Sequence, residues 1–329
     1  MSFLSGIKKI TYNTWLYKYL FIAYHYCFLS HGKETMKSFG NKNPDKTFYV
    51  IQTEGSSTGI LAYYLQVLSD CAYAEANGYI PIVDMMRGAN QYSSIGKIGN
   101  PWELFFQQPS AYSLEEAYSS RNVVISGWTY EKLLEEMEIG GRQSSLYSYS
   151  FQDRIKAYQE MHPAISISDS LRNIAESYVS NMITENTLGV FLRGTDYVAT
   201  RPKGHFIQPS VTEVIRKIEE FQEKHLLKNV FLVTEDTAVE NAIREAVSLP
   251  VDVIHQSAFE DYDYEKAEYL NQYLTEDEVY DNTMKYLIKC VCLSKCRYLV
   301  TSAASGSVFS LLIREQPPLD AYYFDLGKY

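Results

Sequence analysis

The sequence predicts an α/β protein of two units, each with a parallel sheet at its centre. Strand-like and helix-like segments alternate from Leu188 onward, the pattern of parallel strands joined by right-handed crossovers. A strand, a glycine turn, a helix and a second strand follow one another from Thr47. The length of 329 residues exceeds one ordinary core and suits two. We place an N-terminal segment and linker at residues 1–46, a first domain at 47–175 and a second at 176–329.

Residues 15–30, WLYKYLFIAYHYCFLS, are aromatic and apolar. The run after Lys18 is far shorter than the roughly 20 residues that span a bilayer. No small-residue cleavage site of a secretory signal follows. Two readings stay open: an amphipathic segment resting on the inner face of the cell membrane, and a docked helix. The polar stretch GNKNPDKT reads as a linker, so the first core strand is expected at Thr47–Gln52. After the turn Gly55–Gly59, Leu61, Tyr64, Leu65, Leu68, Ala72 and Ala76 recur at spacings of three and four. Gly78 stops that helix, and Tyr79–Asp84 reads as the next strand.

The middle is less regular. NPWELFF and SLEEAYSS read as short helices, Asn122–Trp128 as a strand, and residues 147–184 as helices broken near Pro163. In the second half Leu188–Arg193 is a strand, followed by a long loop. A helix from Pro209 then carries Val211, Val214, Ile215, Ile218 and Phe221 on one face. Strands Val230–Thr234, Val251–His255 and Tyr298–Thr301 alternate with helices at Thr237–Val247, at about 282–296 and after Ser305.

Composition narrows the function. Hydrophobic residues make up 46% and charged residues 21%, a folded profile. The formal charge of −10, with no basic run, excludes a nucleic-acid partner. The 29 tyrosines suit both core packing and the presentation of rings to sugars. Cys290, Cys292 and Cys296 lie in the apolar run YLIKCVCLSKC and lack a fourth ligand at zinc spacing. They read as reduced thiols of a buried helix, which fits a cytoplasmic compartment.

In parallel sheets ligands bind beyond the carboxyl ends of the strands. The informative clusters are therefore Gly55–Gly59, Arg193–Asp196, Thr234–Asp236 and Ser302–Ser307, all small or polar. An arginine fixed at a strand end can grip a pyrophosphate with two charge-assisted bonds, and its charge never titrates away. The serine turn starts a helix, whose amides can either hold a phosphate or simply be capped. His205, near Arg201 and Lys203, is a candidate substrate contact or a loop stabiliser. Asp196 reads as orienting Arg193, with a role as base the alternative. Asp261-Tyr262-Asp263 has the form of a metal-binding D-x-D, but lies in a solvated acidic loop.

Phe191-Leu192-Arg193-Gly194-Thr195-Asp196 resembles the H-x-R-R-[TG]-D motif of the α1,2-, α1,6- and protein O-fucosyltransferases. Val233-Thr234-Glu235-Asp236 is similar to the family's second motif, and LSKCRYLVTSAASGS to its third, with Ser302 and Ser305 the best matches. Gly55–Gly59 resembles the N-terminal glycine loop. The resemblance spans roughly residues 47–315. It implies the GT-B fold, two Rossmann-like domains facing across a cleft, and an inverting transfer of fucose from GDP-fucose to a glycan acceptor in cell-surface polysaccharide synthesis. It implies no metal and no cofactor beyond the nucleotide-sugar substrate.

Under that resemblance the donor contacts are Gly55, Gly59, Arg193, His205, Thr234, Glu235, Asp236, Ser302 and Ser305. The catalytic candidates are Arg193, Glu54 and Asp196, Glu54 lying beside the glycine loop as in some protein O-fucosyltransferases. The sequence departs from the family at Phe191 and Gly194, where a histidine and a second arginine are expected. It departs again at Arg201, where the α1,6 branch has a glutamate, and at Lys289, where an acid reads guanine. Two rivals remain: a metal-dependent transferase of the GT-A type using Asp261 and Asp263 with another nucleotide sugar, and a non-catalytic glycan-binding or scaffold member.

Overall fold

The computed structural model describes residues 33–52, 58–87, 90–95, 99–127, 150–202, 205–256 and 274–329. The N-terminal aromatic segment with Cys27, the Glu54–Gly55 turn, Lys203 and Asp261–Asp263 lie outside the described residues.

The first unit contains the strands Thr35–Lys37 (β1), Lys42–Ile51 (β2), Ile80–Val83 (β3) and Ser120–Ile125 (β4), in the order β1-β4-β2-β3. β2 runs parallel to both β3 and β4, while β1 pairs antiparallel with β4 through Thr35 opposite Ile125. The polar stretch expected to be a linker is thus part of the sheet, a correction with a simple cause. The early part of β2 lies at an exposed rim, where polar side chains cost nothing. Its backbone still pairs Lys42 with Ser120 and, past an irregularity that accommodates Pro44, Thr47 with Asn122.

The helices that precede the second sheet are Ile60–Ala76 (α1), Pro101–Phe105 (α2), Leu114–Ala117 (α3), Phe151–Met161 (α4) and Asp169–Met182 (α5), the last packing mainly on a helix of the second unit. Each of the last four starts where a polar side chain caps the first amides: Asn100, Ser113, Ser150 and Ser168. The face of α1 predicted from spacing is buried at Leu61, Tyr64, Leu65 and Leu68, while Ala76 at its end is exposed. Tyr63, Val67, Cys71 and Ala74 are buried as well, so α1 is enclosed on more than one side.

The second unit is a fully parallel sheet of Thr187–Phe191 (β5), Asn229–Val233 (β6), Val251–Asp252 (β7), Tyr298–Ser302 (β8) and Asp320–Phe324 (β9), ordered β7-β6-β5-β8-β9. Its helices are Thr195–Thr200 (α6), Val211–Lys224 (α7), Thr237–Ala246 (α8), Glu276–Lys295 (α9) and Ser305–Leu312 (α10). α6 occupies part of the span expected to be a loop, and α9 starts earlier than expected because Thr275 and Glu278 form a capping box. Alternate residues of β5 go to opposite faces. Leu188, Val190 and Leu192 pack with Val214, Ile218 and Ile243, while Phe191 joins Leu287, Leu293 and Phe309 on the other side.

That second face belongs to a core shared by both units. Phe309 of α10 meets the Tyr64 ring edge-on at 4.8 Å and the Phe106 ring at 6.0 Å. Tyr280 of α9 stacks on Phe105 at 5.8 Å. Cys71, Cys290, Cys292 and Cys296 are buried free thiols in this core, and burial raises the pKa of each. No helix among the described residues is long and apolar enough to cross a membrane.

Candidate functional site

The order β7-β6-β5-β8-β9 contains a switch point. From β5 the chain steps outward through β6 to β7, then crosses to β8 on the other side of β5 and steps outward to β9. In parallel sheets such a switch point, at the carboxyl ends of β5 and β8, is where ligands bind. Arg193 follows β5, Thr234–Asp236 follow β6, and Ser302 ends β8, so three of the four predicted clusters meet on adjacent strands.

Arg193 is the centre of this arrangement. Its Nη2 donates to Asp196 Oδ1 at 3.0 Å and to Oδ2 at 3.3 Å, and its Nε stands 3.6 Å from Glu235 Oε1. The guanidinium lies 4.2 Å over the ring of Tyr197, and 20% of the side chain is exposed. Burial pulls its pKa down, but the Asp196 and Glu235 carboxylates more than reverse this and leave it well above the ordinary value. Nε has no hydrogen-bond partner among the described residues. Nη2 is committed to Asp196 and Nε faces Glu235, so two carboxylates hold this planar cation in place at the strand end.

The turn around it is tightly specified. Thr195 adopts φ 47°, which a β-branched residue takes only when its surroundings impose it. Those surroundings are the Asp236 carboxylate, which accepts the Thr195 amide at 3.2 Å, and Glu235 Oε1, which accepts the Thr195 hydroxyl at 3.3 Å. The other Asp236 oxygen caps α8 by accepting from Ala238 and Val239 at 2.9 and 3.2 Å. Asp236 is thus committed to building the turn. Thr234 is similarly engaged, its hydroxyl accepting from the Asp236 amide and its carbonyl accepting from Lys289 Nζ at 2.9 Å.

Glu235 is the buried counter-charge. Burial raises its pKa, and Arg193 opposes that effect. Lys289, fully enclosed, donates to the Thr234 carbonyl and to Gln256 Oε1 at 2.7 Å; burial lowers its pKa to about 8. His205 Nδ1 pairs with the Tyr197 hydroxyl at 3.1 Å. Burial, and then Arg154 and Arg193, lower its pKa, which keeps the ring neutral at pH 7.

On the β8 side Ser302 is fully buried, and its Oγ has no hydrogen-bond partner among the described residues. Ser307 Oγ donates to the Ser302 carbonyl at 2.6 Å, which ties the first turn of α10 to the strand. Ser305 opens α10 without a side-chain cap. Gly306 next to it has no room for a side chain, because a Cβ there would reach within 2.7 Å of the Phe191 ring and strike the Tyr286 hydroxyl. Phe191, standing where the family motif has histidine, is therefore a core ring beneath this helix terminus.

Gly59 has a different neighbourhood. It caps α1, and the adjacent Thr58 carbonyl accepts from Gln91, whose amide also donates to the Tyr92 hydroxyl. Tyr92 bonds in turn to Thr283 of α9, one turn before Tyr286. Arg201 is exposed and left-handed at the end of α6. Tyr197, Tyr286 and Lys289 surround Arg193 and Thr234 without being predicted from sequence to lie there. Their signals were present: Tyr197 follows the motif's aspartate, and Tyr286 and Lys289 share a helical face at a spacing of three. Among the described residues no group of three or more His, Cys, Asp and Glu is placed to hold a metal ion.

No protein-family model matches the chain, and no curated protein matches it. Among solved structures it is similar to NodZ α-1,6-fucosyltransferase soaked with GDP-fucose, at 14% identity and a TM-score of 0.49, over 85% of this chain and 96% of that one. It is similar to POFUT1 in complex with GDP-fucose at 12% identity and a TM-score of 0.49, over 87% and 100% of the two chains. The fucosyltransferase NodZ from Bradyrhizobium aligns at 13% identity with a TM-score of 0.46, over 86% and 96%.

Proposed function

We propose that the protein is a glycosyltransferase whose donor is a nucleoside diphosphate sugar, and that GDP-fucose is that donor. The observation that carries this is Arg193, locked by Asp196 at the carboxyl end of β5 beside the uncapped N-terminus of α10. Negative charge grows on a departing diphosphate, and a guanidinium and helix amides already in place need no reorganisation to meet it. The ordered resemblance of Arg193–Asp196, Thr234–Asp236 and Ser302–Ser305 to fucosyltransferase motifs supports the choice of sugar. Displacement at the anomeric carbon then proceeds with inversion, as a base on the first unit takes the proton of a glycan hydroxyl. We assign the acceptor to cell-surface polysaccharide synthesis, at the cytoplasmic face of the membrane.

The test is Arg193→Ala, assayed for GDP-fucose turnover with folding checked by circular dichroism. We expect a folded protein whose turnover falls by about 2–4 kcal/mol of transition-state stabilisation. Arg193→Lys should recover little of it, because a point charge does not reproduce the fork. Near-normal turnover in the alanine variant removes the reading.

A further inference from the structure

We propose, resting on the donor-site reading above, that Tyr197 is a positioning residue for Arg193 and that the segment Gly327–Tyr329 holds it in place through His205. Two carboxylates meet the guanidinium within its own plane, Asp196 at Nη2 and Glu235 at Nε. In-plane contacts at two nitrogens leave the group able to rock about the line that joins them. A surface against its flat face removes that freedom. The Tyr197 ring, whose centroid lies 4.2 Å from the guanidinium carbon, is such a surface.

Tyr197 is placed by more than its own helix. Its hydroxyl and His205 Nδ1 share a hydrogen bond of 3.1 Å, and the two rings meet edge to face at 5.3 Å. Burial raises the phenol pKa and lowers that of the imidazole, so the bond joins two uncharged groups at pH 7. His205 lies outside the helices and strands, and the chain that follows β9 fixes it. β9 ends at Phe324, level with Ser302 of β8. Asp325 then accepts the Phe151 amide at 2.9 Å, and Gly327 turns the chain at φ 79°, a conformation that favours glycine. The Gly327 carbonyl accepts the Ile207 amide, and the Tyr329 amide donates to the His205 carbonyl, both at 3.0 Å. Phe206 and Lys328 pair antiparallel between these bonds, with the Lys328 ammonium 5.0 Å over the Phe206 ring. The side-chain amide of Gln208 ties the same stretch to the start of α10 by donating to the Phe206 and Ala303 carbonyls at 3.1 and 3.0 Å.

Contacts thus run without a gap from Gly327–Tyr329 through His205 and Tyr197 to the face of Arg193. The charge of an arginine is fixed by its own chemistry, but the direction of its N–H groups is set by what it rests on. A diphosphate needs those groups aimed at its oxygens, and a misplacement of about 1 Å costs on the order of 10²-fold in rate. Tyr197 acts through Arg193, so its effect must disappear when Arg193 is gone.

Calorimetry of GDP, UDP, ADP and dTDP with the full chain identifies the tightest of the four, which then serves as the probe for double-mutant cycles. Tyr197→Leu removes the ring and is expected to weaken binding by about tenfold. In an Arg193→Ala background the same change should cost less than about twofold, because residues that act through one group do not add. Tyr197→Phe keeps the ring but loses the tie to His205, and should cost about threefold. Gly327→Val is strained at its left-handed position, although the space around it is open. It should cost about threefold in the parent and less than about twofold on top of Tyr197→Phe. Factors that multiply in either double variant leave only a structural role and overturn the assignment. A folded Tyr197→Leu chain that binds like the parent overturns it too. Should Tyr197→Leu fail to fold, the pair Tyr197→Phe and Gly327→Val decides. In each of these cases a parent that binds its nucleotide, and an Arg193→Ala variant that binds it less tightly, keep the donor-site reading in place. If the parent binds none of the four, that reading fails and the role of Tyr197 falls with it.

Discussion

The Asp236 carboxylate occupies the space that a side chain at Gly194 would need: a Cβ there would fall within 2.8 Å of Asp236 Cβ and strike its carboxylate. The same carboxylate accepts the Thr195 amide and caps α8, so the glycine, the left-handed threonine and the helix start form one unit. The missing second arginine of the motif is thus a packing requirement of this chain.

Gly194→Ala is expected to destabilise the protein by about 2–4 kcal/mol, from overpacking together with a disturbed cap. Gly194→Arg, which restores the family motif, should be worse rather than better. Chemical denaturation measures both. An arginine variant as stable as the parent would show that the turn can open to admit a side chain.

The base is the next question. Asp196 already accepts two bonds from Arg193, so we expect Asp196→Asn to act mainly on donor affinity by loosening that arginine. Glu54→Gln should instead lower kcat by about 10²–10⁴ with donor affinity unchanged. Steady-state kinetics with separate donor-binding measurements distinguish the two. An active Glu54→Gln enzyme, beside a dead Asp196→Asn enzyme with normal donor binding, assigns the base to Asp196.

Deleting residues 2–40 removes β1 and also Glu34, whose carboxylate accepts the Tyr49 hydroxyl at 3.1 Å and the Tyr73 hydroxyl at 3.2 Å. Hydrogen bonds to a charged group are worth about 1.5–3 kcal/mol each. The truncated chain should therefore melt at least about 5 °C lower than the full chain. An unchanged Tm would mean that β4 does not depend on its antiparallel partner.

Lys289 gives a pH signature. Burial lowers its pKa from 10.5 to about 8, so between those values the unfolded chain binds a proton that the folded chain does not. Folding stability from this group therefore rises with pH across that window. Burial keeps the core cysteines and tyrosines protonated in the fold while the unfolded chain loses those protons over the same range, an opposite effect that would mask it, so comparison with Lys289→Met is needed. The stability of the parent relative to that variant should increase by up to roughly 3 kcal/mol between pH 8 and pH 10.5. A difference independent of pH would show that the ammonium stays charged when buried.

What the sequence by itself determined is the alternation of strands and helices and the places where strands end. Hydrophobic periodicity is local, so the buried face of α7 and the position of Arg193 at a strand end could be read from spacing alone, whereas the capping box that starts α9 at Thr275 was not. The sheet start was missed because the rim of β2 is polar, and polar residues carry no signal of backbone pairing. Only the tertiary structure decided which strand ends are neighbours. It set β6, β5 and β8 side by side, gave Arg193 two carboxylates instead of one, and committed Asp236 to a turn. It also brought Gly327–Tyr329, far from Tyr197 in sequence, against the His205 stretch beside it. Burial was the deciding agent in each case. Whether a carboxylate, an ammonium or a glycine is a ligand or a strut depends on what is packed against it, and packing is a property of the folded chain.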